Sequence, residues 1–403
     1  PVLFISLMIA VDEALSLVLK NSSPLTETEK LPISQCLNRN LAEAVEAPID
    51  LPSFRQSSMD GYALCIHDSN DYLIKGEVKA GDETNPTLLP GECVRIFTGA
   101  AVPDTANAVI MQEKTIREKS ILRVETPITK EQNIRAIGSQ VKKSSFPLEK
   151  GQILQASGLA FLQSLGIKEV EVYRAPKVTL ILTGNELIQP NEKLTRGKIF
   201  ESNSVLLETA LRQQGVETQL ISFAEDTLEA TINVLKNAFL TADIILISGG
   251  ISVGDYDFVK QALDNLDVEE IFYKVRQRPG KPLFFGKKDN RFVFALPGNP
   301  ASTLSCFYVY FLPLLARLKG GQSEGLIRVS IPLTHDFISD EPRALFLKAS
   351  IQNKSVTVLD RQHSSMLISF AKANALVYIP EHGVSLKRGA LVEVLILPNT
   401  ILT

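Results

Sequence analysis

The stretch Asp243-Ile244-Ile245-Leu246-Ile247-Ser248-Gly249-Gly250-Ile251-Ser252-Val253-Gly254 decides the fold class. Its apolar run ends at a glycine-rich turn, after which Phe258, Val259, Ala262 and Leu263 recur at helical spacing. The segment therefore reads as a strand, a tight turn and a helix start. Such a turn aims backbone N–H groups and the positive end of the helix dipole at one spot, and its glycines lack the Cβ atoms that would block a phosphate. A plain strand-to-helix connection is the alternative for any one such loop. Two more follow within a short span, Arg278-Pro279-Gly280-Lys281-Pro282 and Leu296-Pro297-Gly298-Asn299-Pro300, and the first sets two cations at a spacing that suits one oxyanion.

Around this segment, from Lys177 to about Lys319, strand-like runs (178–182, 218–223, 244–247) alternate with helical patterns (204–214, 227–239, 256–266). That alternation predicts a parallel sheet covered by helices on both faces, with ligands bound at the carboxyl ends of its strands. Thr183-Gly184-Asn185-Glu186, Ala224-Glu225-Asp226 and the Ser248 loop fall at those ends. Before this unit the chain opens with an amphipathic helix, Val11 to Lys20. It then runs through short β-like stretches from about Glu46 to Ser145, separated by Pro, Gly and Asp clusters, and a helix and strand around residues 158–173 form a connector. After a linker at Gly320-Gly321-Gln322-Ser323, short alternating strands return, and a small all-β domain, a barrel, is expected. The fold class is thus multidomain α/β plus β. The expected domains are residues 1–45 with 146–174, an inserted β-rich 46–145, an α/β 175–322 and a β-barrel 323–403.

With 403 residues, roughly two to four domains are expected. Basic and acidic residues number 42 and 45, a formal charge of −3, so no global field favours nucleic acid or an anionic membrane, and neither is an expected partner. Cys36, Cys65, Cys93 and Cys306 form no C-x-x-C pair and the four histidines have no zinc spacing, which fits a reducing, cytoplasmic setting without a transition-metal site. Residues 2–10 look like a short signal core but lack a basic flank and a cleavage site, and no stretch reads as the ~18 apolar residues of a membrane span. A soluble protein is expected.

Glu186, Asp226, Asp255 and Asp257 cluster near the strand ends. Carboxylates beside a phosphate loop suit Mg²⁺, which takes oxygen ligands and bridges to substrate phosphates. Helix capping is the competing reading, and for Asp226, just before Thr227 at a helix start, it is the preferred one. Asp60-Gly61, between β-like runs, reads on spacing alone as a hairpin turn.

The string Ser57-Ser58-Met59-Asp60-Gly61-Tyr62-Ala63 occurs together with Phe97-Thr98-Gly99-Ala100, Thr183-Gly184-Asn185-Glu186-Leu187, residues 248–254, Pro279-Gly280-Lys281-Pro282 and residues 296–300. In this order, over about Asp12 to Val394, the set resembles the molybdopterin molybdenumtransferase family, MoeA and the gephyrin E domain. The resemblance implies an elongated homodimer whose cleft lies between the α/β domain of one subunit and the β-rich domain of the other. It implies insertion of molybdenum from molybdate into adenylylated molybdopterin, with Mg²⁺ present and AMP released. Contacts with molybdopterin adenylyltransferase and with maturation factors of molybdoenzymes are family-level expectations.

By the matching motifs, Asp60 resembles the essential acid, with Thr98 lining the same cleft. Glu186, Asp226 and Asp257 resemble the cluster near pyrophosphate and Mg²⁺. Lys274, Arg278 and Lys281 would bind the oxyanion, Arg as a planar fork and Lys as a point charge. Thr183, Gly249, Gly250, Ser252, Gly254, Pro297 and Pro300 would bind the molybdopterin, and Ser302, Arg343, Lys348 and Ser364 would add donors to the same anion. Three departures from the family pattern stand at Gln140, at Lys348 in place of an arginine, and at His363 and Ser365, which add bulk where the family has glycines. Two other readings stay open: a molybdopterin adenylyltransferase, which shares the α/β domain, and a non-catalytic carrier or scaffold.

Overall fold

A computed structural model describes residues 8–251, 258–322 and 325–398. At its centre lies a six-stranded sheet in the order Thr218–Ala224, Val178–Thr183, Ile244–Ser248, Arg291–Leu296, Phe284–Lys288, Glu269–Tyr273. The first four strands are mutually parallel, as the alternation predicts. Phe284–Lys288 runs antiparallel to both of its neighbours, Arg291–Leu296 and Glu269–Tyr273, so the sheet is mixed. Lys288 pairs with Arg291, leaving only Asp289 and Asn290 between the strands, and two residues can make a hairpin but not the crossover that a parallel partner needs.

Period-two alternation sorts the side chains of this sheet to two cores. Val178, Leu180, Ile244, Leu246, Phe292 and Phe294 pack with the helices Val11–Lys20 and Asn203–Gln213 and with residues 300–318. Ile181, Ile245, Ile247, Val293 and Ala295 pack on the other face with Leu228–Thr241 and Phe258–Asn265. Burying both faces is why the strand Ile244–Ser248 is apolar from Ile244 to Ile247, with the buried Ser248 at its end. The segment Pro300–Leu318 is long and apolar enough to cross a membrane, contrary to the expectation from the sequence, but 83% of it is buried inside the fold. Pro313 has no N–H to give the carbonyl of Val309, and the helix widens into a π turn over Phe307–Phe311 immediately before it.

Residues 31–51 and 141–172 share two small cores, so the chain leaves and re-enters one packed region around the β-rich stretch. That stretch forms its own six-stranded sheet and cores. Gly61 opens the strand Gly61–Leu64 rather than sitting in a hairpin turn. A Cβ there would lie 1.8 Å from the carbonyl oxygen of Ile110, so the glycine answers strand-to-strand contact and not turn dihedrals. The C-terminal strands follow the order Gln277–Arg278, Ala344–Gln352, Ala375–Ile379, Leu391–Ile396, Arg328–Pro332, with Ser355–Val358 beside Ala344–Gln352. Phe346, Leu376 and Leu395 join the same core as the segment 300–318, which docks this sheet onto the α/β unit.

Phe294 is fully buried, with its ring 4.6 Å from that of Phe285. Phe294→Ala should destabilise the fold by ~3–5 kcal/mol, read as a lowered denaturant midpoint.

Candidate active site

Register places Thr183 beside Ala224, Leu182 beside Ser248, and Ser248 beside Leu296. The parallel strands therefore end level, and the loops that follow them crowd one edge of the sheet. From Val178–Thr183 the chain turns to the strand on one side, Thr218–Ala224, and then to Ile244–Ser248 on the other. A crevice opens where the strand order reverses in this way. A cavity of about 420 Å³ lies there, lined by Thr183, Glu186, Asp226, Gly249, Gly250, Pro297 and Pro300 among others. All seven are residues the motifs single out. A larger cavity of about 780 Å³, between the helix Val11–Lys20 and residues 325–328, touches none of these loops, so volume does not choose the site.

Gly249 and Gly250 have φ of 95° and 61°, and a Cβ on Gly249 would lie 2.5 Å from the carbonyl oxygen of Thr183. Side chains would strain the backbone and separate the two loops that form the crevice. Asp226 is not the helix cap. Thr227 is: its hydroxyl accepts from the N–H of Ala230. Asp226 Oδ2 instead accepts the N–H of Asn185 at 2.8 Å, which ties the second loop to the first and leaves its carboxylate facing the cavity beside Glu186. Two carboxylates lining one cavity suit Mg²⁺, which keeps waters and often takes only one or two protein carboxylates. Ser252, Gly254, Asp255 and Asp257, and the helix start at Tyr256, lie outside the described residues.

A second set of expected residues meets beside the first. Gln277 is buried, its side chain donating to the carbonyl of Gly280 at 3.0 Å and accepting from Tyr310, which fixes the turn Arg278–Lys281 between the α/β unit and the C-terminal sheet. Arg278 and Arg343 share one carboxylate: Glu341 Oε2 lies 3.2 Å from Arg278, and both its oxygens accept from Arg343 at 2.7 and 3.0 Å. These bonds, Arg343 foremost, pull the carboxyl of Glu341 down to about 2. The cluster keeps one positive charge in excess. Lys281 follows with no ion pair among the described residues, and Lys274 packs its amine 4.4 Å from the ring of Tyr273. Ser364 accepts a hydrogen bond from Asn299 at 3.2 Å and so reaches the cavity's last loop. Ser302 does not line the cavity and is 2% exposed in the first turn of Pro300–Cys306.

Lys348 corrects the sequence reading. An anion-binding lysine is exposed to its ligand, but this one is 1% exposed and gives its amine to the carbonyls of Arg361 and His363. Gln362 adds bonds to the backbone of Lys348 in both directions. The pair shapes the loop that carries Ser364 instead of touching an oxyanion.

Asp60 and Thr98 sit away from the cavity, on the exposed rim of the β-rich sheet. Asp60 Oδ1 accepts from both the N–H and the hydroxyl of Thr98, at 2.7 and 2.8 Å. Those two bonds hold its carboxyl below the usual aspartate range. Oδ2 has no hydrogen bond among the described residues, so an ionised carboxylate is held by one oxygen and offers the other.

Three families match the chain in succession: the MoeA N-terminal region (domain I and II) over residues 9–166, the probable molybdopterin binding domain over 179–317, and the MoeA C-terminal region (domain IV) over 330–397. The molybdopterin molybdenumtransferase of Staphylococcus aureus is 30% identical over 96% of this chain and 95% of its own. That of Staphylococcus epidermidis is 29% identical over the same shares. The crystal structure of the molybdopterin biosynthesis moeA protein from Pyrococcus horikoshii superposes with a TM-score of 0.84 at 31% identity, covering 97% of this chain and 100% of that one. The chain belongs to the molybdopterin molybdenumtransferase family.

Within this MoeA family member, two cavity residues carry no motif signal. Asn203 and Glu201 line the cavity, yet in sequence each is a polar residue just before or at a helix start, where capping is the ordinary reading. Glu201 does cap, accepting from the N–H and hydroxyl of Ser204.

Burial pushes the amine of Lys348 down to about 8, from the usual ~10.4 of an exposed lysine. Below pH 8 both folded and unfolded chains hold the proton, and folding bears the full cost of burying the charge. Between about 8 and ~10.4 the unfolded chain binds more protons than the folded one, so stability rises with pH. The neutral amine still has two N–H groups for the two carbonyls. Lys319, also lowered to about 8 by burial and then by Arg39, acts in the same direction. The buried thiols of Cys93 and Cys306, pushed up to about 12, act in the opposite direction above ~8.5, so the test is a difference. From pH 7 to 10 the denaturant midpoint of the wild type should gain on that of Lys348→Met, and a constant gap would show that Lys348 is ionised throughout.

Proposed function

We propose that the chain inserts molybdenum from molybdate into adenylylated molybdopterin and releases AMP, in the cytoplasm and as a homodimer. Membership of the family makes it an enzyme of molybdenum cofactor biosynthesis. The observation that carries the finer reading is the cavity at the level strand ends, where a glycine turn, two carboxylates and the Pro297–Pro300 loop converge. Gly249 and Gly250 give backbone access to a phosphate. Glu186 and Asp226 would hold Mg²⁺, which when bound would supply positive charge near the phosphates. Molybdate is a substrate here, and Lys274, Lys281 and the Arg278–Arg343 pair are the cations that would bind it, while Ser364 donates from the loop that Lys348 shapes.

Asp60 would be the base, taking a proton from the water that attacks the phosphoanhydride. In one chain Asp60 does not line the cavity, and the β-rich unit of a second copy would bring it there. The C-terminal sheet would act as a closed barrel: an isolated bridge from Leu333 to Val356 joins the end of the Arg328–Pro332 strand to Ser355–Val358. The four packed regions would correspond to the four domains expected from the sequence.

Molybdate-dependent AMP release from adenylylated molybdopterin with Mg²⁺ tests this reading. Asp60→Asn should lower turnover by ~10²- to 10⁴-fold with the melting temperature unchanged. Tight binding without AMP release by the wild type would point instead to a carrier. Thr98→Val deletes one of the two bonds that lower Asp60, so the acidic limb of its pH–rate profile should move to higher pH. An unmoved limb would assign that limb to another group.

A further inference from the structure

Asn203 opens the helix Asn203–Gln213 and is 8% exposed. Its Nδ2 donates to Ser248 Oγ and to the carbonyl of Gly298, both at 2.8 Å. One amide therefore holds the end of the Ile244–Ser248 strand to the loop after Arg291–Leu296, and these are two walls of the cavity. Because the carbonyl of Gly298 can only accept, the nitrogen must point that way, and Oδ1 is left on the other side. Oδ1 is buried and has no partner among the described residues. Thr183, 6% exposed on the facing strand end, lines the same cavity, and its hydroxyl is buried and unpartnered as well.

Unpaired buried polar atoms are few in native proteins, and each bears the full cost of lost hydration. Two around one cavity point to a ligand that completes them. Molybdate and the fully ionised phosphates of an anhydride cannot complete the amide oxygen, since they have no hydrogen to give it, whereas the Thr183 hydroxyl can donate or accept. A pterin ring carries N–H groups, and a ribose carries hydroxyls. Resting on the reading of the cavity given above, we propose that Asn203 is a specificity residue. It sets the spacing of two cavity walls through Nδ2 and, with Thr183, selects through Oδ1 the hydrogen-donating part of the ligand rather than its phosphate.

Titration calorimetry on the full chain with molybdopterin, AMP and inorganic phosphate as separate probes tests this. Thr183→Val keeps the side-chain shape and deletes only an unpaired hydroxyl, so its melting temperature should stay level or rise. Its affinity for molybdopterin or AMP should fall by roughly two- to tenfold, with phosphate unaffected. Asn203→Ala should weaken the same probe by more, roughly a hundredfold, since it also releases both walls. Loss confined to molybdopterin assigns the donor to the pterin, and loss confined to AMP assigns it to the nucleotide. Unchanged affinity of Thr183→Val for both probes, or an equal loss for phosphate, overturns the assignment while leaving the cavity reading intact. A wild type that binds neither molybdopterin nor AMP overturns both.

Discussion

The constraint on which the cavity depends is the register of four parallel strands. Because Thr183, Ala224, Ser248 and Leu296 end within a residue or so of one another, four loops from separate parts of the chain share one edge. Register in turn rests on burial. A slip of one residue would exchange the two faces of the Ile244–Ser248 strand, moving Ile244 and Leu246 out of one core and Ile245 and Ile247 out of the other. Both cores are filled, so neither face can absorb the exchange. The apolar side chains that carry no chemistry thus set where the polar loops stand.

Small residues then decide how close those loops come. The glycines at 249 and 250 let the turn lie against the carbonyl of Thr183, and the Asn185 to Asp226 bond draws in the next loop. On the far side Gln277, Tyr310 and Cys306 form a buried polar knot under the turn Arg278–Lys281. Burial keeps the thiol and the phenol of this knot protonated, pushing Cys306 up to about 12 and Tyr310 well above its ordinary value. It is a mechanical joint between two units rather than a reactive centre.

Much of this was legible in the sequence, and the reasons differ by residue. Strand Ile244–Ser248 and its turn were readable because a buried parallel strand is an apolar run and a tight turn needs glycine. Glu186, Asp226, Gly249, Pro297 and Pro300 were readable because each sits in a short motif of constrained chemistry. The antiparallel Phe284–Lys288 strand was missed although its signal was present, since only Asp289 and Asn290 separate it from Arg291–Leu296 and so short a gap excludes a parallel crossover. Lys348 was misread because sequence shows a charge but not its exposure, and a lysine among apolar β residues looks the same whether it faces a ligand or two carbonyls. For Asp226 the two readings diverged: its place before a helix suggested a cap while the motif put it at the site, and Thr227 beside it turns out to be the cap.

Charge placement shows the same division between holding and acting. Arg278 and Arg343 come from segments far apart in sequence, and the single carboxylate of Glu341 satisfies both while leaving a surplus of one positive charge. Without Glu341 two guanidinium groups would face each other in a partly exposed setting, and mutual repulsion would spread them. With it they stay close, pre-ordered and still net positive. An arginine pair held by one acid loses less side-chain entropy on binding than two loose arginines would. That arrangement resembles the one at Asp60, where Thr98 fixes one carboxylate oxygen and the other has no hydrogen bond among the described residues. In both places one contact orients a charged group and leaves part of its bonding capacity open.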